Sequence, residues 1–352
     1  MDAAGLAAEL REVGLAAGLA AVGTTRATSW SRARSVLEDG RSAGRHGGMA
    51  FTYRKPARST EPQRVLRNAA TLVVGAWPYA GAPPEAPACS GRVNARVARY
   101  AAEDSYGMLR EALGAIADCL RGHGHRAVVL ADDNAVMDRE AAWRAGIGFT
   151  GKNANLLLAG HGSWFVLGSV VTDAALPALQ PPVANQCGTC RRCIDGCPTD
   201  AIVAPGVVDA RRCLSWLLQR PGSFPVEFRE ALGDRIYGCD DCQEVCPPAR
   251  REERRSPRGS DGNWVDALEL LALDDDALLE RCARWYVPQR DPAVLRRNLL
   301  VVIGNAGDPA DPAVADALRP YLDGPDELLA EHAGWAAGRL ERRRRAEEDV
   351  VA

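Results

Sequence analysis

Residues 187–198 read Cys187-Gly-Thr-Cys190-Arg-Arg-Cys193-Ile-Asp-Gly-Cys197-Pro198. Further on come Cys213 and then Cys239-Asp-Asp-Cys242-Gln-Glu-Val-Cys246-Pro247. The first run has the C-x2-C-x2-C-x3-C-P spacing of bacterial ferredoxins. The second lacks its leading cysteine, and Cys213 can stand in for it. Two 4Fe–4S clusters need eight thiolates, and eight are present. Three cysteines at three-residue steps wrap one cubane, while the fourth of such a run ligates the other cluster. The spacing therefore predicts one cluster on Cys187, Cys190, Cys193 and Cys246, and a second on Cys197, Cys213, Cys239 and Cys242. Pro198 and Pro247 turn the chain away after the last ligand of each run. Zinc sites more often show two separated C-x2-C pairs, and disulfides need an oxidising compartment.

Working outward, the chain has 352 residues, enough for two or three domains, and its 47% hydrophobic content is that of a globular protein. Met1-Asp-Ala-Ala-Gly5 has none of the features of a signal peptide, and no run reaches the apolar length of a membrane span. The expected location is the cytoplasm, as a monomer without membrane association. The net charge of −3 gives no global basic field. Lysine occurs only at Lys55 and Lys152, which sets Lys152 apart. Cys89, Cys119 and Cys282 lie outside the cluster region and are expected to be buried packing residues.

Along the chain, alanine and leucine at helical spacing predict a helix over 3–21, and a second helix follows over 30–38. Gly44-Arg-His46-Gly-Gly-Met-Ala-Phe51 is a glycine-rich loop. Thr71–Trp77 and Ala127–Ala131 read as strands, with 93–122 between them as a long helical stretch. Asp132-Asp133-Asn134 follows the second strand. In α/β sheets ligands bind beyond the carboxyl ends of strands, so Asp132 is a site candidate; a plain helix cap is the other reading. A helix is expected over Met137–Ala145. Gly151-Lys152-Asn153 is not a phosphate-binding loop, because Asn follows Lys152 and a strand, Leu156–Ala159, follows rather than a helix. A hairpin turn at Gly160–Ser163 leads into a strand over Trp164–Thr172. Strands and helices alternate, so residues 1–176 read as an α/β domain. Pro177–Pro182 is a linker to the cluster region, 177–260, which includes a charged run from Arg250 to Arg258 expected as solvated loop.

Residues 261–352 are expected to be helical. Residues 265–286 and 312–322 read as helices. Arg297–Gly304 and Glu331–Gly338 resemble each other at an offset of 34 residues, which suggests stacked HEAT-like helical hairpins. Arg342–Arg345 form a compact basic patch, either a solvated helix end or a phosphate contact.

These motifs together resemble one family, the epoxyqueuosine reductases, cobalamin-dependent iron–sulfur enzymes of tRNA modification. The resemblance rests on His46-Gly-Gly-Met-Ala-Phe51, Arg58…Pro62, Asp132 with Arg139, Ala145-Gly-Ile-Gly148 and Gly151-Lys152-Asn153. It continues through the cysteine run with Pro198-Thr-Asp-Ala-Ile202, Asp209-Ala-Arg-Arg-Cys213, Arg235-Ile-Tyr-Gly-Cys239-Asp-Asp-Cys242-Gln and the helical repeats. It implies an N-terminal cobalamin-binding domain, a ferredoxin-like domain with two 4Fe–4S clusters, and a HEAT-like region that holds tRNA. The implied reaction is reduction of epoxyqueuosine to queuosine at the wobble base, with an external low-potential electron donor. Asp132 matches the family's acid. Arg58, Lys152 and Asn153 match residues that contact cobalamin, and Ser215 and Asp240, beside cluster ligands, are candidates to line the corrin. Where members commonly carry Asp-Tyr-His, this chain has Ser105-Tyr106-Gly107, and Ala98 stands where some carry cysteine. The alternatives are a paralogous reductase of another epoxide or a halogenated substrate, and a two-cluster electron carrier with no catalysis of its own.

Overall fold

The computed structural model describes residues 2–82, 85, 87, 91–256 and 262–351. Helix α1 (Ala3–Ala16) begins where the Asp2 carboxylate accepts the Gly5 amide at 2.7 Å, and it turns Leu6, Ala7, Leu10 and Gly14 inward. It stops short of the expected end at residue 21. Gly18 takes a left-handed φ of 99°, and the chain returns as strand β1 (Ala21–Arg26). Alanine and leucine favour helix locally, but Val22, Gly23 and Thr24 are buried by pairing with the next strand. Only glycine fits at position 23, because a Cβ would lie 2.3 Å from the Ala145 carbonyl oxygen.

Helices α2 (Ser31–Ser42) and α3 (Pro56–Ser59) lead to β2 (Thr71–Pro78). Next come β3 (Asn94–Val97), α4 (Arg99–Ala102) and α5 (Ser105–Gly122), so the stretch expected as one helix over 93–122 opens with a strand. Val93, Ala95 and Val97 point inward at every second position, a period of two that the helical run after it masked. The domain continues through β4 (Ala127–Ala131), α6 (Asp138–Arg144), β5 (Phe149–Thr150), β6 (Leu156–Leu157) and β7 (Phe165–Thr172).

The main sheet has the order β1-β2-β7-β4, and every pairing in it is antiparallel. Strands and helices do alternate, but the rule for the carboxyl ends of parallel strands does not bear on Asp132. Val73 packs with α1 and α5 on one face; Leu72, Val74 and Ala76 pack with Trp30 and α6 on the other. Both faces are covered, which is why β2 reads as an unbroken apolar run.

The second half holds α7 (Arg192–Asp195), β8 (Ile202–Ala204), β9 (Val207–Val208), α8 (Leu214–Gln219), α9 (Val226–Leu232), β10 (Arg235–Tyr237), α10 (Asp241–Glu244) and α11 (Pro247–Arg255). The run expected as solvated loop from Arg250 is thus helical up to Arg255, begun by Pro247 and Pro248 in its first turn; Arg258 lies outside the described residues. The stretch expected as helix over 265–286 is split into β11 (Trp264–Asp266), α12 (Ala267–Ala272) and α13 (Asp275–Arg281). Asp274 starts the last of these anew by accepting the Ala277 amide at 2.8 Å. Helices α14 (Pro292–Ala306), α15 (Pro312–Leu322) and α16 (Glu327–Val351) complete the chain.

Strand β3 leaves the main sheet and lies between β10 and β11. One core therefore runs from Val93, Ala95 and Val97 through α8, Phe224 and Ile236 to α12, α14 and α16. Helix α14 is buried from Val294 to Gly304. Its Arg297 donates to the carbonyls of Leu217 and Leu218, both at 3.1 Å, and also to those of Arg220 and Gly222, satisfying the C-terminal end of α8. Burial lowers its pKa to about 9. At the expected basic patch, Arg343 donates to the Gly307 carbonyl at 2.7 Å, while Arg344 and Arg345 pair with Glu341.

Candidate active site

The ten described cysteines are all free thiols. Burial raises the pKa of Cys193, Cys213, Cys239, Cys242 and Cys246, and neighbouring thiolates push in the same direction. Those neighbours divide into two groups. Cys193 feels Cys246, Cys187 and Cys190, and Cys246 feels Cys187 and Cys190. Cys213 feels Cys197, Cys239 feels Cys213, and Cys242 feels Cys239 and Cys213 before Cys193. Most of these effects fall within the two sets named above, and Cys193 also reaches Cys242 across them. Crowded, half-buried thiols of this kind are costly as anions unless a metal neutralises them.

The second cysteine segment is held by β3 and α4. The buried Arg99 donates its amide to Asp240 Oδ2 at 2.8 Å, pairs with Glu253 at 2.9 Å and lies over the Trp164 ring at 4.3 Å from its centroid. Arg96 reaches Asp234 at 3.2 Å and Glu244 at 3.3 Å. Reading 93–122 as helix hid both arginines; the period-two burial of Val93, Ala95 and Val97 was the signal that could have exposed them.

Lys152 and Asn153 face the cysteine segments. Lys152 Nζ donates to the carbonyls of Gly188 at 2.7 Å and Cys190 at 2.9 Å. Buried Asn153 reaches the Cys242 carbonyl with its Nδ2 at 3.4 Å and accepts the Asn155 amide on Oδ1 at 3.2 Å. Asp240 is buried and also accepts from Gln243 at 3.2 Å; burial is the main cause raising its pKa to about 6. Ser215 is half-buried at the start of α8, and its amide and that of Trp216 point at the Cys213 sulfur.

Asp132 directly follows β4 with a left-handed φ of 55°, a conformation a non-glycine residue rarely holds. Neither aspartate caps α6, which begins after Met137 with no side-chain cap; the Asp133 carboxylate accepts the Ala135 amide at 2.7 Å within the loop. Asp132 is exposed, with no hydrogen-bond partner among the described residues. Protein crowding around the open face still raises its pKa through desolvation; Arg110 opposes this and Asp133 adds to it. Asp138 and Tyr106 are also shifted upward, chiefly by burial and then by the Asp132 charge. The loop after Asp132 is tied to α3, where Ser59 donates to the Asn134 carbonyl at 2.6 Å and accepts the Met137 amide on its own carbonyl at 3.1 Å. Arg58, next to Ser59, is exposed. Arg139 donates to the Ala154 carbonyl at 2.9 Å and lies close enough to Cys213 to lower its pKa. Arg139 therefore bridges the acid loop, the Lys152 loop and the second cysteine set.

The glycine-rich loop is pinned to the same region. Trp216 Nε1 donates to the Gly47 carbonyl at 2.8 Å, and the Ala210 amide donates to Arg45 at 2.8 Å. A cavity of about 740 Å³ among α12, α14 and α15 is lined by none of the residues expected at the site. Of the other cysteines, Cys282 is buried as expected and Cys89 lies outside the described residues. Cys119 is only partly buried, and its sulfur, a Glu9 oxygen and a His123 nitrogen all lie within 4.8 Å of one another. It still packs against the core formed by α1, α5 and the main sheet, with its sulfur turned toward Glu9 and His123.

Comparison with known proteins covers both regions. The family model of the 4Fe-4S double cluster binding domain matches residues 186–249. Over 349 residues the chain is 35% identical to the epoxyqueuosine reductase of Vibrio cholerae, spanning 96% of this chain and 92% of that one. It is 34% identical over 358 residues to that of Escherichia coli, spanning 97% and 92%. A crystal structure of epoxyqueuosine reductase with a tRNA-Tyr epoxyqueuosine-modified stem loop matches with a TM-score of 0.86 and 29% identity, over 96% of this chain and 90% of that one. The Bacillus subtilis epoxyqueuosine reductase, with its catalytic loop swung out of the active site, matches with a TM-score of 0.85 and 28% identity, over the same shares.

Proposed function

The chain belongs to the epoxyqueuosine reductase family, and on that premise we propose that it reduces epoxyqueuosine to queuosine at the wobble position of tRNA anticodons. The observation that carries this is the extent of the likeness. It takes in the acid loop and both cysteine runs, over 96% of this chain and 92% of the Vibrio cholerae relative. A two-cluster electron carrier would need no Asp132 loop.

Cys187, Cys190, Cys193 and Cys246 are assigned to one 4Fe–4S cluster, and Cys197, Cys213, Cys239 and Cys242 to the other. Their grouping by mutual electrostatic effect supports this. Cobalamin is proposed between the Asp132 side and the second cysteine set. The residues there fit a large, flat group with a polar rim. Met49 and the exposed Phe51 offer apolar surface beside glycine backbone, while His46 Nδ1 and Ser105 Oγ are enclosed without a protein partner. Arg58 and Ser215 would meet the polar side chains of the corrin. Lys152, Asn153 and Asp240 would line it while also fixing the cysteine loops. The division into 1–176, 177–260 and 261–352 is kept as a functional one, with the last part as a HEAT-like tRNA holder in the cytoplasm.

The reaction takes two electrons and two protons: both epoxide C–O bonds break, a C=C bond forms and the oxygen leaves as water. When bound, the clusters supply single electrons and cobalamin supplies a strongly reducing cobalt centre. Asp132 supplies a proton to the departing oxygen. Its raised pKa keeps part of it protonated where an ordinary aspartate is ionised. The left-handed backbone turns its carboxyl toward open space instead of capping the loop. Arg139 and Ser59 hold that loop in place.

The test is anaerobic reconstitution with iron, sulfide and cobalamin, reduction, and addition of tRNA carrying epoxyqueuosine. Queuosine should form with the native chain and not with Asp132→Asn. Cobalamin uptake with no turnover on this tRNA would refute the substrate assignment.

A further inference from the structure

Between α13 and α14 the chain runs Arg281-Cys-Ala-Arg284-Trp285-Tyr286-Val-Pro288-Gln289-Arg290. Tyr286 leaves 58% of its surface exposed. Its position is nonetheless fixed, because its amide donates to Tyr237 Oη at 2.7 Å. The Tyr237 ring stacks on Trp285 with centroids 4.7 Å apart and planes 9° apart. Tyr237 is itself buried in the core, two residues before Cys239 of the second cysteine run. The Tyr286 backbone is therefore anchored beside the second cysteine run while its ring stays exposed.

The segment ends in an unusual turn. Gln289 and Arg290 are consecutive non-glycine residues with left-handed φ values of 51° and 54°. The turn is closed by the Arg290 amide on the Val287 carbonyl and the Asp291 amide on the Pro288 carbonyl, both at 3.0 Å. Two such residues in a row are unfavourable and persist only where their surroundings hold them. Arg281 and Arg290 are exposed and make no ion pair among the described residues. Many other arginines of the chain do, Arg96, Arg99, Arg211 and Arg235 among them. Arg281 and Arg290 thus flank the exposed Tyr286 with cations that no carboxylate among the described residues neutralises.

An aromatic platform flanked by arginines is how proteins hold unpaired bases and the phosphates on either side. We propose that Arg281–Arg290 is a stacking site for single-stranded RNA. Tyr286 packs against an unpaired base next to the one that enters the cleft, and Arg281 and Arg290 meet the adjoining phosphates. The proposal rests on the tRNA reading given above and says which residues choose the loop. Splaying the target base leaves its neighbour unstacked, and Tyr286 replaces the lost stacking partner.

The test uses the reconstituted full chain and an anticodon stem loop with 2-aminopurine beside the wobble base. Tyr286→Ala keeps the amide that binds Tyr237, so the segment stays anchored; unchanged iron content checks this. Tyr286→Ala should weaken binding roughly ten- to hundred-fold and relieve the quenching of 2-aminopurine that the native chain causes. It should raise KM with kcat nearly unchanged, and Tyr286→Phe should restore binding. Arg290→Ala should reduce the slope of log affinity against log salt by about one. If the native chain binds the stem loop and Tyr286→Ala binds it equally well with the same quenching, the stacking site is refuted and the tRNA reading stands. If the native chain binds no stem loop, both are refuted.

Discussion

Lys152 donates from its ammonium to the carbonyl oxygen of Cys190 at 2.9 Å, joining the loop before β6 to the first cysteine run. A second bond goes to the Gly188 carbonyl at 2.7 Å. A positive charge there favours the more negative, reduced form of a nearby cluster. Lys152→Met should therefore shift one cluster to a more negative potential, on the order of tens of millivolts, with iron content retained. A redox titration followed by electron paramagnetic resonance checks this; superimposable curves would refute it.

Cys213 occupies the place of the missing leading cysteine of the second run and is an electrostatic neighbour of Cys239 and Cys242. Cys213→Ala should bind about four iron atoms in place of about eight. Iron and sulfide analysis of the two proteins gives the answer, and full iron content in the variant would overturn the assignment.

Asp132 must be protonated to donate. Its pKa is raised, so the protonated fraction is high at acidic pH and falls as pH rises through that value. The single-turnover rate with saturating reductant should fall with rising pH. Asp132→Asn should be slower by about 10²- to 10⁴-fold and lose that pH dependence. A variant with the native profile would assign the proton elsewhere.

His332, on α16, is fully buried and accepts the Phe224 amide on Nε2 at 3.1 Å. Burial is the main cause holding its pKa near 4, with Arg229 and Arg297 acting in the same direction. The unfolded value is about 6.5. The folded form thus resists protonation, its stability is full above pH of about 6.5, and it declines as pH falls from there toward 4. Thermal melts of the native chain should drop across that window. The drop should be smaller in His332→Gln, which can accept from the Phe224 amide without titrating; equal slopes would exclude His332 as the cause.

The residues legible in advance were those whose chemistry depends on local spacing. The cysteines repeat at fixed intervals, and the strands Thr71–Trp77 and Ala127–Ala131 show as apolar runs. Asp132 came from its place after a strand and from motif likeness, although the strand rule used for it belongs to parallel sheets. The errors lie where tertiary contact outweighs local preference. The helix expected over 3–21 ends at Ala16, and residues 21–26 complete an edge of the sheet that was not read as a strand. Residues 94–97 precede a long helix, yet their backbone pairs with residues 235–237 and 264–266.

The sequence by itself determined which thiols are available and in what order, because a cluster-binding run is a local device set by bond lengths and turn geometry. Only the tertiary structure decided that Lys152 and Asn153 reach over the cysteine loops, that Arg99 and Arg96 hold the second run, and that Asp132 stands open while Asp133 closes the turn to Ala135. Those relationships join residues separated by up to about 150 positions. They depend on which groups are left without water and must find partners when the core closes.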